Sequence, residues 1–98
     1  MIIHQREISY QNNYAEFFET LSKMKTLLEK KFPEISVELM YNLAGQRGRA
    51  TIQIRYPSLA DYERIDAAAD KDEKYNNLIS AIVSASGQLP NDQFYRTF

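Results

Sequence analysis

The chain contains no cysteine and no tryptophan, a single histidine, and only three glycines and three prolines among 98 residues. Without cysteine it can form no disulfide, thiolate metal site or cysteine nucleophile, and this composition is typical of a reducing compartment. No apolar run approaches the roughly 20 residues of a membrane span, and Ile2 and Ile3 before His4 fall far short of a signal-peptide core. We therefore expect a cytoplasmic protein with no membrane partner.

A charge excess of either sign is also missing. Twelve basic and thirteen acidic residues leave a formal charge of −1, so there is no global field to recruit nucleic acid or an anionic surface. The 44% apolar content is that of a globular protein, and 98 residues is the size of one ordinary domain. We expect residues 1–98 to form a single domain.

Four stretches are predicted to be β-strands. Side chains alternate between two faces over residues 2–10, 35–43 and 49–56, and the stretch AGQRG between the last two indicates a hairpin. Residues 93–98 are rich in aromatics and are predicted to form a terminal strand. In the first strand one face carries Ile2, His4, Arg6, Ile8 and Tyr10.

Two helical regions lie between these strands. Apolar residues recur at helical spacing over residues 14–32 and again over 59–83, and Pro33 stops the first helix. Three capping pairs, each three residues apart, are Asn13 with Glu16, Ser58 with Asp61, and Asp70 with Glu73. The last pair predicts that the second helix is broken near residue 70.

The order βαββαβ predicts a ferredoxin-like α+β fold, in which a four-stranded antiparallel sheet carries both helical regions on one face. The other face would expose Met40 and Tyr95 beside Glu7, Glu38 and Arg49, a mixture of apolar and charged groups. A second copy of the sheet could cover it. We therefore expect a homodimer.

The chain also resembles a known superfamily. The resemblance is carried by the strand IHQREISYQ running into NNYAEFFETL, and by IQIRYPSLADYERIDAAADKDEKY, where Tyr56, Pro57 and Ser58 start a helix that is interrupted at Asp70 and Asp72. This layout is similar to the dimeric α/β-barrel superfamily, and within it to the NIPSNAP-like family. The resemblance implies a homodimer whose two sheets close into a barrel, with a pocket between helices and sheet in each subunit. It implies no particular reaction.

His4 and Arg6 are the candidate catalytic residues. If their face of the first strand lies under the helices, a neutral imidazole could exchange protons and a guanidinium could hold a carboxylate or enolate. Four tyrosines are the candidate ligand-binding residues: Tyr10, Tyr41, Tyr62 and Tyr75. The alternative is structural, with a hydrogen-bonded histidine and an arginine paired with Glu7, Glu38 or a helix carboxylate. A register shift of one residue would turn His4 to the dimer side.

Other sites find less support in the sequence. The stretch RGRATIQI has the position of an RNA-binding signature but none of its aromatics, so no base could stack on it and no nucleic-acid partner is expected. Counted from Asp70, a calcium loop would need Gly and Glu where Tyr75 and Ala81 stand, and no metal is predicted. No serine lies in a G-x-S-x-G context.

Two functions therefore remain open. The first is the binding of a small apolar or aromatic molecule by a homodimeric α/β barrel, or a role as an interaction module. The second is a cofactor-independent monooxygenase, isomerase or decarboxylase acting on a small aromatic or polyketide-like substrate, as in related barrel families. Such chemistry needs only a base and an oxyanion partner, for which His4 and Arg6 are the candidates, and neither function requires a cofactor.

Overall fold

The computed structural model describes residues 1–10, 14–41, 48–86 and 91–97. Its elements in chain order are β1 (Ile2–Ser9), α1 (Tyr14–Lys31), β2 (Ser36–Tyr41), β3 (Arg49–Tyr56), α2 (Leu59–Asp70), α3 (Glu73–Ser86) and β4 (Asn91–Arg96). The sheet has the order β2-β3-β1-β4 with antiparallel neighbours throughout. This confirms the predicted ferredoxin-like α+β fold. The predicted cap Asn13, most of the AGQRG loop and Phe98 lie outside the described residues.

The alternation of the strands decides which side chains enter the core. In β3, Ala50, Ile52, Ile54 and Tyr56 are buried and belong to the apolar core that the helices cover. The β1–β3 register places His4 opposite Ile54 and Arg6 opposite Ile52. His4 and Arg6 therefore share the helix-facing side of the sheet.

Helix α1 supplies the largest share of the core opposite the sheet. Its buried residues recur every three or four positions, at Phe17, Leu21, Met24 and Leu28, which is the spacing of one helical face. Two lysines end the helix, where positive charge suits the helix dipole. Among the described residues, no helix is both long and apolar enough to cross a membrane.

Helices α2 and α3 are two pieces of one helical region, as predicted. Ser58 caps α2, and its Oγ accepts a hydrogen bond from the backbone N–H of Asp61 at 3.2 Å. The cap of α3 was predicted wrongly. Asp72, not Asp70, accepts the backbone N–H of Tyr75 at 2.9 Å, because α2 extends to Asp70 itself. Asp72 also forms an ion pair with Lys31 of α1, which ties the break to the first helix.

The far face of the sheet is polar at its centre. The side-chain amides of Gln5 and Gln53 hydrogen-bond at 2.7 Å, and Gln53 is only 8% exposed. Glu7 forms an ion pair with Arg49 across the β1–β3 ladder. This hydrogen bonding explains how polar side chains can fill the middle of a sheet face without a helix over them.

The terminal strand begins earlier than the sequence analysis predicted. Strand β4 runs from Asn91 to Arg96, whereas aromatic content indicated a start at Gln93. Pairing with β1 sets this boundary, since Glu7 lies opposite Asn91 and Arg6 opposite Asp92. The shift matters because it brings Asp92 into the sheet beside Arg6.

Candidate functional site

A cavity lies between the helix layer and the sheet. Its volume is about 60 Å³, and it is partly open to solvent. Helix α3 packs mainly against α1 and α2 rather than on the strands, so space remains beneath it. The lining residues are His4, Arg6, Ile8, Ile52, Ile54 and Tyr56 from the sheet, and Met24, Asp66, Tyr75, Ile79, Ile82 and Val83 from the helices. The wall thus combines apolar side chains with a polar group of residues that includes both candidate catalytic side chains.

Asp92 of β4 binds both candidate catalytic residues of β1, His4 and Arg6. Its Oδ1 accepts a hydrogen bond from Arg6 Nε at 2.6 Å, and its Oδ2 accepts one from Arg6 Nη2 at 3.1 Å. The same Oδ1 lies 3.0 Å from His4 Nε2. The hydrogen bond from Arg6 lowers the pKa of Asp92 below its usual value, and the hydrogen bond to Asp92 raises the pKa of Arg6. The partner of Arg6 is therefore Asp92 of β4, and not Glu7, Glu38 or a helix carboxylate.

The imidazole of His4 is held in one orientation. Because an ionised carboxylate only accepts hydrogen bonds, His4 Nε2 must carry the proton towards Asp92, and Nδ1 is the acceptor of the neutral ring. The ring stacks on Phe94 with centroids 4.3 Å apart and meets Tyr62 edge-on at 6.4 Å. A histidine oriented in this way by a carboxylate can take up a proton at a defined atom.

The candidate ligand-binding tyrosines lie in three different places. Tyr75 lines the cavity. Tyr62 lies behind the His4 ring rather than in the cavity wall. Tyr10 packs in an aromatic cluster with Phe17 and Phe18 at centroid distances of 5.1 and 5.3 Å, and Tyr41 is 62% exposed beside the same cluster. Only Tyr75 of the four is therefore brought together with His4 and Arg6 in the cavity wall.

Two phenols of the cavity wall stay protonated at neutral pH. Burial raises the pKa of Tyr56 and of Tyr75, and the carboxylate of Asp66 pushes both in the same direction. The charge of Arg6 opposes the shift without reversing it. Tyr56 and Tyr75 are thus available as hydrogen-bond donors and cannot serve as phenolate bases.

Three residues of the site were missed by the sequence analysis. Tyr56 had a detectable signal, because it continues the alternation of Ile52 and Ile54 on the helix-facing side of β3. Asp92 had a weaker one, since an acidic residue just before an aromatic strand could have been tested as a partner for Arg6. Asp66 is exposed on α2, next to the buried Ile65, and no sequence signal indicated that it would line the cavity.

Known proteins of solved structure share the fold of this chain. No family model and no curated protein matches the chain. Solved structures match it closely in shape: an uncharacterised NIPSNAP domain protein from Burkholderia xenovorans has a TM-score of 0.81 and 10% identity, covering 100% of this chain and 95% of its own. A proposed antibiotic biosynthesis monooxygenase from Caulobacter crescentus has a TM-score of 0.84 and 12% identity, covering 99% and 89%.

A third similar structure is SnoaB, a cofactor-independent oxygenase from Streptomyces nogalater, with a TM-score of 0.76 and 10% identity, covering 98% of this chain and 91% of its own. At these identities the likeness shows the fold alone. The chain has the ferredoxin-like α+β fold that NIPSNAP domain proteins share with monooxygenase-like proteins. The resemblance predicted from the sequence is confirmed at this level.

The pairing of Arg6 and Asp92 predicts a pH dependence of stability. The folded pKa of Asp92 lies below its reference value of 3.8, so the contribution of the pair is complete above about pH 5 and is lost as the pH falls through the folded pKa. We expect the wild type to unfold at higher urea concentration than an Asp92→Asn variant near neutral pH, and the difference to shrink in acid. Urea denaturation followed by circular dichroism over a pH series measures this.

The control is the same comparison at about 1 M salt, where screening should reduce the difference between wild type and variant because both side chains are partly exposed. A difference that persisted unchanged down to about pH 2 would contradict the assigned pair.

Proposed function

We propose that the chain is a small-molecule-binding protein whose site is the cavity between the helices and the sheet. The observation that carries this proposal is the combination of an apolar wall with Arg6, His4, Tyr56 and Tyr75 in one partly enclosed space. An apolar wall with a few convergent polar groups is the usual composition of a ligand site. Isoleucines such as Ile52 would bind an apolar body, and the polar residues would orient it.

The volume of the cavity limits what it can enclose. The 60 Å³ space is well above the roughly 10 to 15 Å³ that a single water needs, and it is smaller than the ~150 Å³ cavity that takes up benzene. The enclosed part therefore suits a small functional group. The rest of a larger ligand would extend past Asp66 and Val83, two exposed residues of the cavity lining.

We also propose that two copies associate through the far face of the sheet. Exposed Met40 and Tyr95 lie on that face, and the described helices cover only the opposite one. The Gln5–Gln53 pair supplies polar groups at its centre that a second sheet could meet. The mixed character of the face supports a polar, hydrogen-bonded interface rather than a purely apolar one.

Filling the cavity should weaken ligand binding. Ile79 is partly buried in the cavity wall, so an Ile79→Phe variant should place its ring in the space that a ligand needs. We expect compounds that bind the wild type in a fragment screen by NMR to lose at least about tenfold in affinity, because a ligand and the larger ring together would overpack the cavity.

The matched control is Leu78→Phe, because Leu78 is also partly buried on α3 but does not line the cavity. Equal loss of affinity in both variants would mean that the compounds bind elsewhere or respond to a general destabilisation.

The dimer proposal predicts that a charge on the far face separates the subunits. Tyr95 is 46% exposed in the single chain and would be buried in the dimer. A Tyr95→Arg variant should therefore raise the dimer dissociation constant by at least about tenfold, as an unpaired charge in an interface does. Sedimentation velocity over a concentration series measures it.

The control is Tyr14→Arg, because Tyr14 is 63% exposed on α1, away from the far face. A wild type that sediments as a monodisperse monomer at micromolar concentration would refute the dimer.

The geometry supports a second candidate function, a cofactor-independent enzyme of the oxygenase, isomerase or decarboxylase type. The specific observation in its favour is the contact between His4 and Asp92, which orients a base at the cavity. SnoaB, one of the structural neighbours, is described as a cofactor-independent oxygenase. His4 Nδ1 would remove a proton from an acidic carbon of the bound molecule. The enolate so formed would accept a hydrogen bond from an N–H of Arg6 that Asp92 does not use, and the imidazolium formed on His4 would balance its charge.

The enzyme hypothesis predicts proton exchange on a bound molecule. In deuterated water, the wild type should promote uptake of deuterium at the acidic carbon of a cavity-binding ketone, measured by loss of its proton NMR signal. His4→Gln keeps a hydrogen-bond donor for Asp92 but has no basic nitrogen, so exchange should fall by about 10²-fold or more. Equal exchange rates in wild type and variant, with equal binding, would contradict the hypothesis.

A further inference from the structure

Among the described residues that line the cavity, Arg6 is the one arginine, and Asp92 binds its guanidinium group. Two of the guanidinium nitrogens of Arg6, Nε and Nη2, are already bound to its two carboxylate oxygens. The same carboxylate accepts the hydrogen bond from His4. An incoming anion would have to compete with a carboxylate that is held in place by both neighbours.

The formal charges around the cavity also disfavour the binding of an anion. Arg6 contributes +1 and Asp92 contributes −1, so the pair is neutral, and Asp66 adds a further −1 within electrostatic range of Arg6. The protonated phenols of Tyr56 and Tyr75 add none. Even a protonated His4 would only bring this sum to zero, so a site that contains an arginine has no positive charge left over.

From this arrangement we infer that Asp92 is the specificity-determining residue of the cavity, and that it makes the site select neutral ligands over anionic ones. The inference rests on the proposed function and deepens it. A neutral carbonyl can still accept from a free N–H of Arg6 or from the two phenols without displacing Asp92. A carboxylate gains no net opposite charge and meets the repulsion of Asp92 and Asp66.

The experiment uses two probes of nearly equal shape and different charge, acetamide and acetate, each with only a methyl group beside its polar group because the cavity is small. Binding is followed through the imidazole NMR signals of His4, which are unambiguous because the chain has one histidine. In the wild type, acetamide should bind at least as tightly as acetate. In Asp92→Asn the charge of Arg6 is uncompensated by its partner, so the affinity ratio should move about tenfold towards acetate, as expected for a charge-assisted hydrogen bond.

Two further variants separate pairing from net charge. Asp92→Glu keeps the carboxylate and should retain the wild-type ratio. Asp66→Asn removes one negative charge but leaves the pair of Arg6 and Asp92 intact, so its ratio should move by less than about threefold, as for a partly solvated charge without a direct contact.

Several outcomes would overturn the inference. A wild type that prefers acetate overturns it without any variant, and so does an Asp92→Asn ratio equal to that of the wild type, or an Asp66→Asn change as large as that of Asp92→Asn. In each of these cases the probes still bind, and the proposed function stands. If neither probe shifts the His4 signals in any of the proteins, the cavity is not a ligand site, and the proposed function fails together with the inference.

Discussion

The alternation of β1 brings the guanidinium of Arg6 to the helix-facing side of the sheet, and the charge can remain there because Asp92 matches it from the next strand. An arginine half-withdrawn from water needs its hydrogen bonds satisfied, and a bidentate carboxylate does so in one geometry. That geometry sets the position of the carboxylate oxygen that His4 meets. The orientation of the base and the charge of the cavity thus depend on one ion pair.

The cavity itself follows from how the second helical region is broken. Asp72 starts a new helix and binds Lys31, so α3 sets off in a direction fixed by α1 rather than by the strands. Had the region continued as one straight helix from Ser58, its apolar face could have lain along the sheet. The break leaves a space that Ile79 and Ile82 cover from one side only. A polar capping residue therefore lies where the helix that covers the cavity begins.

Patterns confined to neighbouring residues made much of the fold predictable. The alternation in β3, the cap at Ser58 and the helical spacing of α1 are local, and each was predicted correctly from the sequence. The site was less predictable because its decisive contacts are distant: Arg6 and Asp92 are 86 residues apart, and no local pattern indicates that they are opposite each other. The cap at Asp72 was missed for the related reason that Asp70 and Asp72 offer almost the same spacing, and the packing of α1 selects between them.

The separation of Arg6 and Asp92 along the chain affects the order in which the sheet forms during folding. Strand β4 follows β1, β2 and β3 in the chain, and until it docks Arg6 has no Asp92 and His4 has no acceptor for its Nε2–H. Pairing β1 with β4 closes a loop that contains all the other elements, and the entropy lost is offset only by contacts of the completed sheet. We therefore expect this pairing to come late in folding. The helix layer and β3 can assemble on β1 beforehand. The contacts of Arg6 and His4 with Asp92 are therefore complete only once β4 has paired with β1.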